Sequence, residues 1–272
     1  VNVHSDDEIP SIAINPFRNK GKEEDAFYAY GISEDLISNV TSAGLIRVAS
    51  KQQIEDVGKL PINELAKKLN VRYMANGELW RMRDMFQLSV ELYDTKDEKV
   101  IWSDRWEEKW DNLPTIKVNL SDGLLKSLNI TCEEEKKTEI ANVEAYEYYL
   151  RAKYVWQTIK NKEDLLIVRQ LLNKAVELDA NLIAPRLTLG FTYFFHGEYD
   201  KSLKIYQDAL KIAEINNNKI DIGIIYLRLV MVYSHLIGGF QYPNIDKNEI
   251  ASYLSKARRI IENSNDISAK AQ

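Results

Sequence analysis

Hydrophobic and polar residues alternate with a period of two in the middle of the first half of this chain. In one segment, four apolar side chains at every second position share a single face: Phe86, Leu88, Val90 and Leu92. Such alternation is typical of a β-strand that is buried on one side. The pattern predicts three consecutive strands joined by short turns, at residues 72–81, 86–93 and 100–106.

Short apolar runs and segments with helical spacing flank these strands. The runs predict two more strands, and the spacing predicts three helices. The strands lie at 11–17 and 45–49, and the helices lie at 27–40, 61–69 and 113–128. A charged loop is expected at 18–25, Gly44 ends the first helix, and Pro61 and Asn70 bound the second. The order βαβαβββα predicts an α/β domain in which helices pack against one mixed β-sheet.

The second half of the chain has helical spacing throughout and contains an internal echo. Residues 171–181 return 34 positions later as residues 205–215, with Ala175 matching Ala209 and Leu178 matching Ile212. A self-match at this period is typical of stacked helix pairs, which bury their apolar faces against one another. The echo predicts an all-α array of three pairs, at 143–178, 183–216 and 221–261.

The middle pair resembles a tetratricopeptide repeat. The residues that carry the resemblance are Leu189-Gly190, Tyr193, the turn Gly197-Glu198-Tyr199, Ser202, Tyr206 and Ala209. Small residues at Gly190, Ser202 and Ala209 let two helices cross closely. The flanking pairs keep the pattern less completely, with inserted turns at 160–164 and 238–243. Three repeats are therefore expected.

The first half resembles the TolB amino-terminal-like domain over about 120 residues. The matching motifs are Ser-Ile-Ala-Ile-Asn-Pro-Phe at 11–17, Tyr-Gly-Ile-Ser-Glu-Asp-Leu at 30–36, Leu-Ile-Arg-Val at 45–48, Leu-Asn-Val-Arg-Tyr at 69–73, Asn-Gly-Glu at 76–78, Glu-Leu-Tyr-Asp at 91–94 and Val-Ile-Trp at 100–102. Asn15 and Asp97-Glu98 depart from the family pattern. The resemblance implies no catalytic residue in this domain. It also implies a place beside a class III adenylate/guanylate cyclase domain or a winged-helix DNA-binding domain.

These patterns predict a division into two domains. A linker at 1–10 precedes the TolB-like domain at 11–139, the repeat domain covers 140–263, and a tail covers 264–272. Net charge is −5 over 272 residues, with −7 before residue 140 and +2 after it. Neither half has the dense basic surface that phosphate-backbone binding needs, so we expect no nucleic-acid partner through this chain.

The chain begins at Val1 without Met, and we expect it to be a piece of a longer protein. It shows no signal peptide and no apolar run of the roughly 20 residues that span a bilayer. Cys132 is the single cysteine, which excludes an intrachain disulfide and fits a reducing compartment. A cytoplasmic location is expected, with a periplasmic sensory domain as the alternative.

The inner face of the helix array is the candidate binding site. The register from Gly190 places on this face, from the first helix of each pair, Tyr149, Lys153, Trp156, Leu187, Phe191, Phe194, Phe195, Leu227, Met231 and His235. An exposed aromatic and aliphatic surface of this size marks a binding site. Two alternatives remain open, since the same side chains could pack together as core or meet a second copy of the chain.

Residue patterns for catalysis or metal binding are lacking. His4, His196 and His235 have no partners at metal-ligand spacing, and no phosphate-binding loop occurs around Gly21-Lys22. The acidic residues Asp104, Glu107 and Glu108 lie among Trp102, Trp106 and Trp110, where solvated charges on a strand are the simpler interpretation, although the tryptophans could also bind a sugar or peptide. Lys153 could make a cation–π contact with Trp156. We therefore expect no catalytic residue, metal or cofactor.

Together these features predict a non-catalytic regulatory fragment, the carboxy-terminal part of a class III adenylate/guanylate cyclase. Its expected partner is a protein or peptide, or the output domain of its own parent. Two alternatives remain: the sensory half of a winged-helix transcriptional regulator, and an assembly scaffold that self-associates, for example as a homodimer.

Overall fold

The computed structural model describes residues 10–42, 46–130, 142–238 and 247–270. The chain divides between Val143 and Glu144 into two compact units, an α/β unit followed by a helical unit. His4, Gly44 and Cys132, and all of the 238–243 insertion except Gly238, lie outside the described residues.

The first unit contains the elements β1 Ser11–Ile14, β2 Arg18–Asn19, α1 Ala26–Ser42, β3 Arg47–Val48, α2 Lys51–Val57, α3 Ile62–Leu69, β4 Tyr73–Met82, β5 Met85–Asp94, β6 Lys99–Lys109 and α4 Leu113–Ser127. Short 3-10 turns precede α1 and α4. The sheet has the order β3-β1-β4-β5-β6, and β2 also pairs with β4. β1 runs parallel to β3 and β4, whereas β4, β5 and β6 form an antiparallel meander.

The predicted mixed sheet is confirmed, and so is the buried face of its central strand. Phe86, Leu88, Val90 and Leu92 on β5 are all at most 1% exposed. Alternation places these four side chains on one side of the sheet, where they form its core. The residues between them on the other face are half-buried or exposed.

Two short elements depart from the predicted order. The expected loop at 18–25 contains β2, in which Arg18 pairs with Glu78 and Asn19 with Leu79 of β4. The stretch after β3 contains α2, whose start is fixed by a reciprocal capping box between Ser50 and Gln53. The described order is therefore ββαβααβββα rather than βαβαβββα.

In its described residues, the second unit contains six helices: α5 Val143–Gln157, α6 Lys162–Leu178, α7 Ile183–Phe195, α8 Tyr199–Ile215, α9 Lys219–Gly238 and α10 Lys247–Lys270. α7 packs on α8 and α9 packs on α10, while Ala152 of α5 clusters with Val168 and Leu172 of α6, in the order of the three expected helix pairs. α10 continues through residues 264–270, the range in which a tail is expected. The core of the second and third pairs is made by Tyr206, Ile225, Leu229 and Val232, each 0% exposed.

Candidate binding face

The middle pair sets the spacing of the helices that carry the candidate site. Ser202 on α8 donates a hydrogen bond of 2.8 Å to the carbonyl oxygen of Gly190 on α7. A Cβ atom at Gly190 would lie 2.5 Å from the Tyr206 ring, so no larger residue fits without a shift. The same enclosure raises the pKa of Tyr206 to about 12, because burial disfavours the phenolate. The small residues predicted for this crossing are therefore found where the helices meet.

Arg169 on α6 ties the first pair to the second. Its guanidinium lies 2.7 Å from Glu198, donates to the Thr192 carbonyl at 3.0 Å and stacks 3.9 Å from the centre of the Tyr193 ring. The hydrogen bond from Lys201 lowers the pKa of Glu198, and the contact with Arg169 acts in the same direction. These contacts fix α7 against its neighbours on the side away from the candidate site.

Five aromatic side chains form a continuous series of ring contacts across α5, α7 and α9. The Trp156 ring lies 6.1 Å from Phe191 and 6.2 Å from Phe195. Phe191 stacks on Phe194 at 6.2 Å, and Phe194 meets His235 edge-on at 4.7 Å. Such edge and offset contacts are the favoured geometries of aromatic pairs. The register predicted from Gly190 therefore brings these five residues together.

The ten predicted residues differ in burial. Phe195 is 67% exposed and Leu227 is 45% exposed. Five others are half-buried against core clusters of the array: Tyr149, Trp156, Leu187, Phe194 and Met231. The face is thus an exposed apolar surface backed by side chains that also belong to the core. We call this surface the aromatic face.

Two cations border the aromatic face. The Arg228 guanidinium lies 5.2 Å from the centre of the Phe191 ring, and the Lys153 ammonium lies 5.4 Å from that of Tyr149. The sequence predicts a contact between Lys153 and Trp156, and the structure shows a contact between Lys153 and the Tyr149 ring. Arg228 was missed, although its position three residues before Met231 and seven before His235 puts it on the same side of α9.

The register also missed two residues on α9 because it was extended no further toward the amino terminus than Leu227. Ile220 is 39% exposed and Ile224 is 37% exposed. They precede Leu227 by seven and three residues, so they continue the apolar side of the helix by two turns. Extending the same helical register would have found them.

Asp221, at the start of α9, is enclosed beside this face. Asn218 donates to its carboxylate at 2.8 Å and accepts from its backbone N–H at 3.1 Å. Burial raises the pKa of Asp221 to about 6, since the charged carboxylate loses water. The pair caps the amino terminus of α9.

Trp102 and Trp110 of the first unit pack as structural residues. Trp110 is 8% exposed and contacts the Tyr28 and Phe86 rings at 4.1 and 5.6 Å. Trp102 packs on α4, where a Cβ atom at Gly123 would lie 2.8 Å from its ring. Packing under helices, rather than a sugar or peptide site, is therefore the interpretation that the structure supports for these two.

The polar residues singled out from the sequence do not converge on one site. Asp104 and Glu107 are exposed, Glu108 accepts a hydrogen bond from Asn112, and His196 is exposed. Within the described residues, no three His, Cys, Asp or Glu side chains are arranged to hold a metal ion. Of the helices in the described ranges, none combines the length and hydropathy that a membrane crossing requires.

Comparisons with known proteins give partial structural similarities. No family model matches the chain, and no curated protein matches it. TolB from Acinetobacter baumannii is similar at a TM-score of 0.36 and 17% identity, over 45% of this chain and 29% of that one. The LpoB C-terminal domain from Salmonella enterica has a TM-score of 0.30 and 14% identity, over 37% and 83%. The N-terminal domain of stress-induced protein-1 from C. elegans has a TM-score of 0.33 and 13% identity, over 46% and 94%. The chain thus spans under a third of that TolB structure, and similarities at these scores assign no family.

Proposed function

We propose that this chain is a non-catalytic protein-interaction module of a larger signalling protein. In this proposal α5 to α10 are tetratricopeptide repeats, and the aromatic face binds a peptide segment of a partner or of the parent's own output domain. The observation that carries the proposal is the exposure of Phe195 and Leu227, at 67% and 45%, together with the ring contacts that join α5, α7 and α9. A soluble protein keeps such a surface when a partner covers it.

The parent protein is proposed on the resemblance of the first unit to the TolB amino-terminal-like domain. A class III adenylate/guanylate cyclase in the cytoplasm is the leading candidate, and a winged-helix regulator with a periplasmic sensory half is the alternative. In both candidates, a ligand at the aromatic face biases the output domain only if it binds the two conformational states of the parent protein with unequal affinity. Incubation of the purified chain with ATP or GTP and magnesium should yield no cyclic nucleotide. Measurable product would contradict the non-catalytic assignment.

Selection of peptides from a random 16-residue display library on the immobilised full chain tests the binding site. Enriched peptides, labelled and titrated in solution by fluorescence anisotropy, should bind saturably. The double variant Phe195→Ser with Leu227→Ser should weaken binding at least tenfold. The matched control is Leu166→Ser on α6, where the side chain is 57% exposed but lies outside the aromatic face.

Two results would count against this function. Peptides that bind the double variant as well as the natural chain would place their site elsewhere. If the natural chain sediments as a dimer and the double variant as a monomer, the face is closed by a second copy and the scaffold alternative replaces the proposal.

A further inference from the structure

The exposed side of α9 is aliphatic over three helical turns. Ile220, Ile224 and Leu227 are 39%, 37% and 45% exposed, and the half-buried Met231 follows them. Their spacing is four, three and four residues. At 1.5 Å per residue, the four side chains form a row about 16 Å long.

This spacing is that of a helix–helix seam. Apolar residues that recur every 3.5 residues face one partner helix, whose side chains insert between them. In an extended strand, the side chains of one face are about 6.6 Å apart. That spacing does not match the side chains of the α9 row, which follow the turns of the helix. The spacing therefore favours a helical occupant.

Hydrogen bonding points the same way. The α9 row of Ile220, Ile224, Leu227 and Met231 offers no side-chain N–H, O–H or carbonyl group that could pair with a peptide backbone. An extended peptide buried here would leave backbone N–H and C=O groups without partners, at a cost of about 1–3 kcal/mol each. A helix satisfies those groups internally and offers only side chains to the face.

The charges around the face favour an acidic occupant. α7 contains no Asp or Glu, and the one acidic residue of α9, Asp221, is held by Asn218. On α5, Glu147 pairs with Arg151, and Glu144 lies in the first turn, at the opposite end of the helix from Trp156. Arg228 lies over Phe191, and no carboxylate among the described residues forms an ion pair with it. A carboxylate beside the apolar anchors of a partner would complement Arg228.

We propose that the aromatic face binds an acidic amphipathic α-helix of a partner protein, whose aliphatic anchors lie along the α9 row between Ile220 and Met231. This inference rests on the proposed binding function and specifies the conformation and charge of the ligand. The partner helix lies along α9, its anchors contact Ile224 and Leu227, and its acidic side chains face Arg228.

Two display libraries of equal size test the proposal on the full chain. One library varies residues on a helical scaffold with apolar positions at i, i+3, i+4 and i+7. The other varies residues on an alternating, strand-like pattern of the same composition. The helical library should supply the enriched clones. A central proline in the selected peptides should weaken binding at least tenfold, because it breaks the helix.

Three variants then locate the bound peptide. Ile224→Ser and Leu227→Ser should each weaken binding at least fivefold, whereas Leu254→Ser on α10, also an exposed leucine at 47%, should leave it unchanged. Arg228→Glu should shift the selection from acidic toward basic helices. Circular dichroism and the thermal midpoint of each variant confirm that it is folded.

The outcomes of these experiments separate the helical ligand from the other possible occupants of the aromatic face. Enrichment of strand-patterned or proline-tolerant peptides whose binding still depends on Leu227 would overturn the helical ligand and leave the binding function standing. Failure of both libraries would count against the binding function as well. A dimer of the natural chain that Leu227→Ser converts to a monomer would make a second copy the occupant and overturn the partner helix.

Discussion

The ring of Phe17 lies directly against the backbone of Gly77. Phe17 follows β1 and is 5% exposed, and a Cβ atom at Gly77 would lie 2.6 Å from its ring carbon Cδ1. The ring thus occupies the space that a side chain on β4 would fill, between the part of β4 that pairs with β1 and the part that pairs with β2.

We expect Gly77→Ala to destabilise the first unit. The added methyl group overlaps the Phe17 ring, which is enclosed and cannot move freely, so the free energy of unfolding should fall by about 1–3 kcal/mol. Urea denaturation of the full chain, followed by tryptophan fluorescence, measures the change. The first unit contains four of the five tryptophans.

A control and a rescue make the test specific. Gly21→Ala should have little effect, because its Cβ atom would meet its nearest neighbours at an ordinary 3.4 Å. Phe17→Leu in the Gly77→Ala background should restore part of the loss, giving a coupling energy between the two positions. Purely additive losses would show that the two residues do not compete for space.

Asp94 should carry an acid-sensitive part of the stability. Its carboxylate accepts hydrogen bonds from Arg72 at 2.7 and 3.1 Å and from the Lys96 backbone at 2.9 Å. Burial alone would raise the pKa of Asp94, but these hydrogen bonds lower it below its usual value. A lowered pKa means that the stabilisation is present above the unfolded pKa of about 3.9 and is lost as pH falls through the folded pKa.

The substitution Asp94→Asn should therefore lower the free energy of unfolding at pH 7 by about 1.5–3 kcal/mol. The difference from the natural chain should shrink below about pH 4, where both states become protonated. Asp97→Asn, in the same turn but with its side chain 45% exposed, is the matched control. Equal losses in the two variants would disprove a special role for the Arg72–Asp94 contact.

Asp221 contributes a pH dependence of stability with the opposite sign from that of Asp94. Its folded pKa of about 6 lies above the unfolded value, so the native state binds the proton more tightly, and stability falls as pH rises from about 4 to 6. Asp221→Asn keeps an oxygen acceptor for Asn218 and removes the charge. It should stabilise the chain by roughly 2 kcal/mol at pH 7.5 and have little effect near pH 4.

Thermal unfolding at the two pH values measures this effect. Asp208→Asn provides the comparison, since Asp208 is an exposed carboxylate that pairs with Lys211 at 3.0 Å. A stabilisation of Asp221→Asn that is the same at both pH values would rule out titration as its cause.

Periodicity predicted β4 and β5 because each of them buries one face, whereas β6 keeps the alternation without a fully buried residue. β4, β5 and β6 follow the alternation of apolar residues, and the middle helix pair follows the small residues Gly190 and Ser202. β2 was missed because two residues are too short to show a period; its pairing depends on β4. α2 was missed although Ser50 and Gln53 form a capping box that the sequence displays.

The sequence predicted which side chains share the candidate face, but it did not predict how deeply each of them is buried. A helical register fixes which side chains share a face, and it placed Trp156, Phe191 and Phe194 together. How deeply each ring is buried depends on how closely neighbouring helices approach, which periodicity does not contain. The end of α10 shows the same limit, because residues 264–270 are polar and their helix has no apolar period to reveal it.

The last prediction separates the two roles within the aromatic face. Phe194 is half-buried against the core of the second and third pairs, whereas Phe195 next to it is 67% exposed. Phe194→Ala should lower the free energy of unfolding by roughly 1–2 kcal/mol, since burying a whole Phe side chain contributes about 1.5–3. Phe195→Ala should change it by less than about 0.5 kcal/mol, as surface substitutions do. The double variant Phe191→Ala with Phe194→Ala should therefore lower the thermal midpoint as well. Equal stability of the Phe194 and Phe195 variants would contradict this division and return Phe194 to the exposed surface.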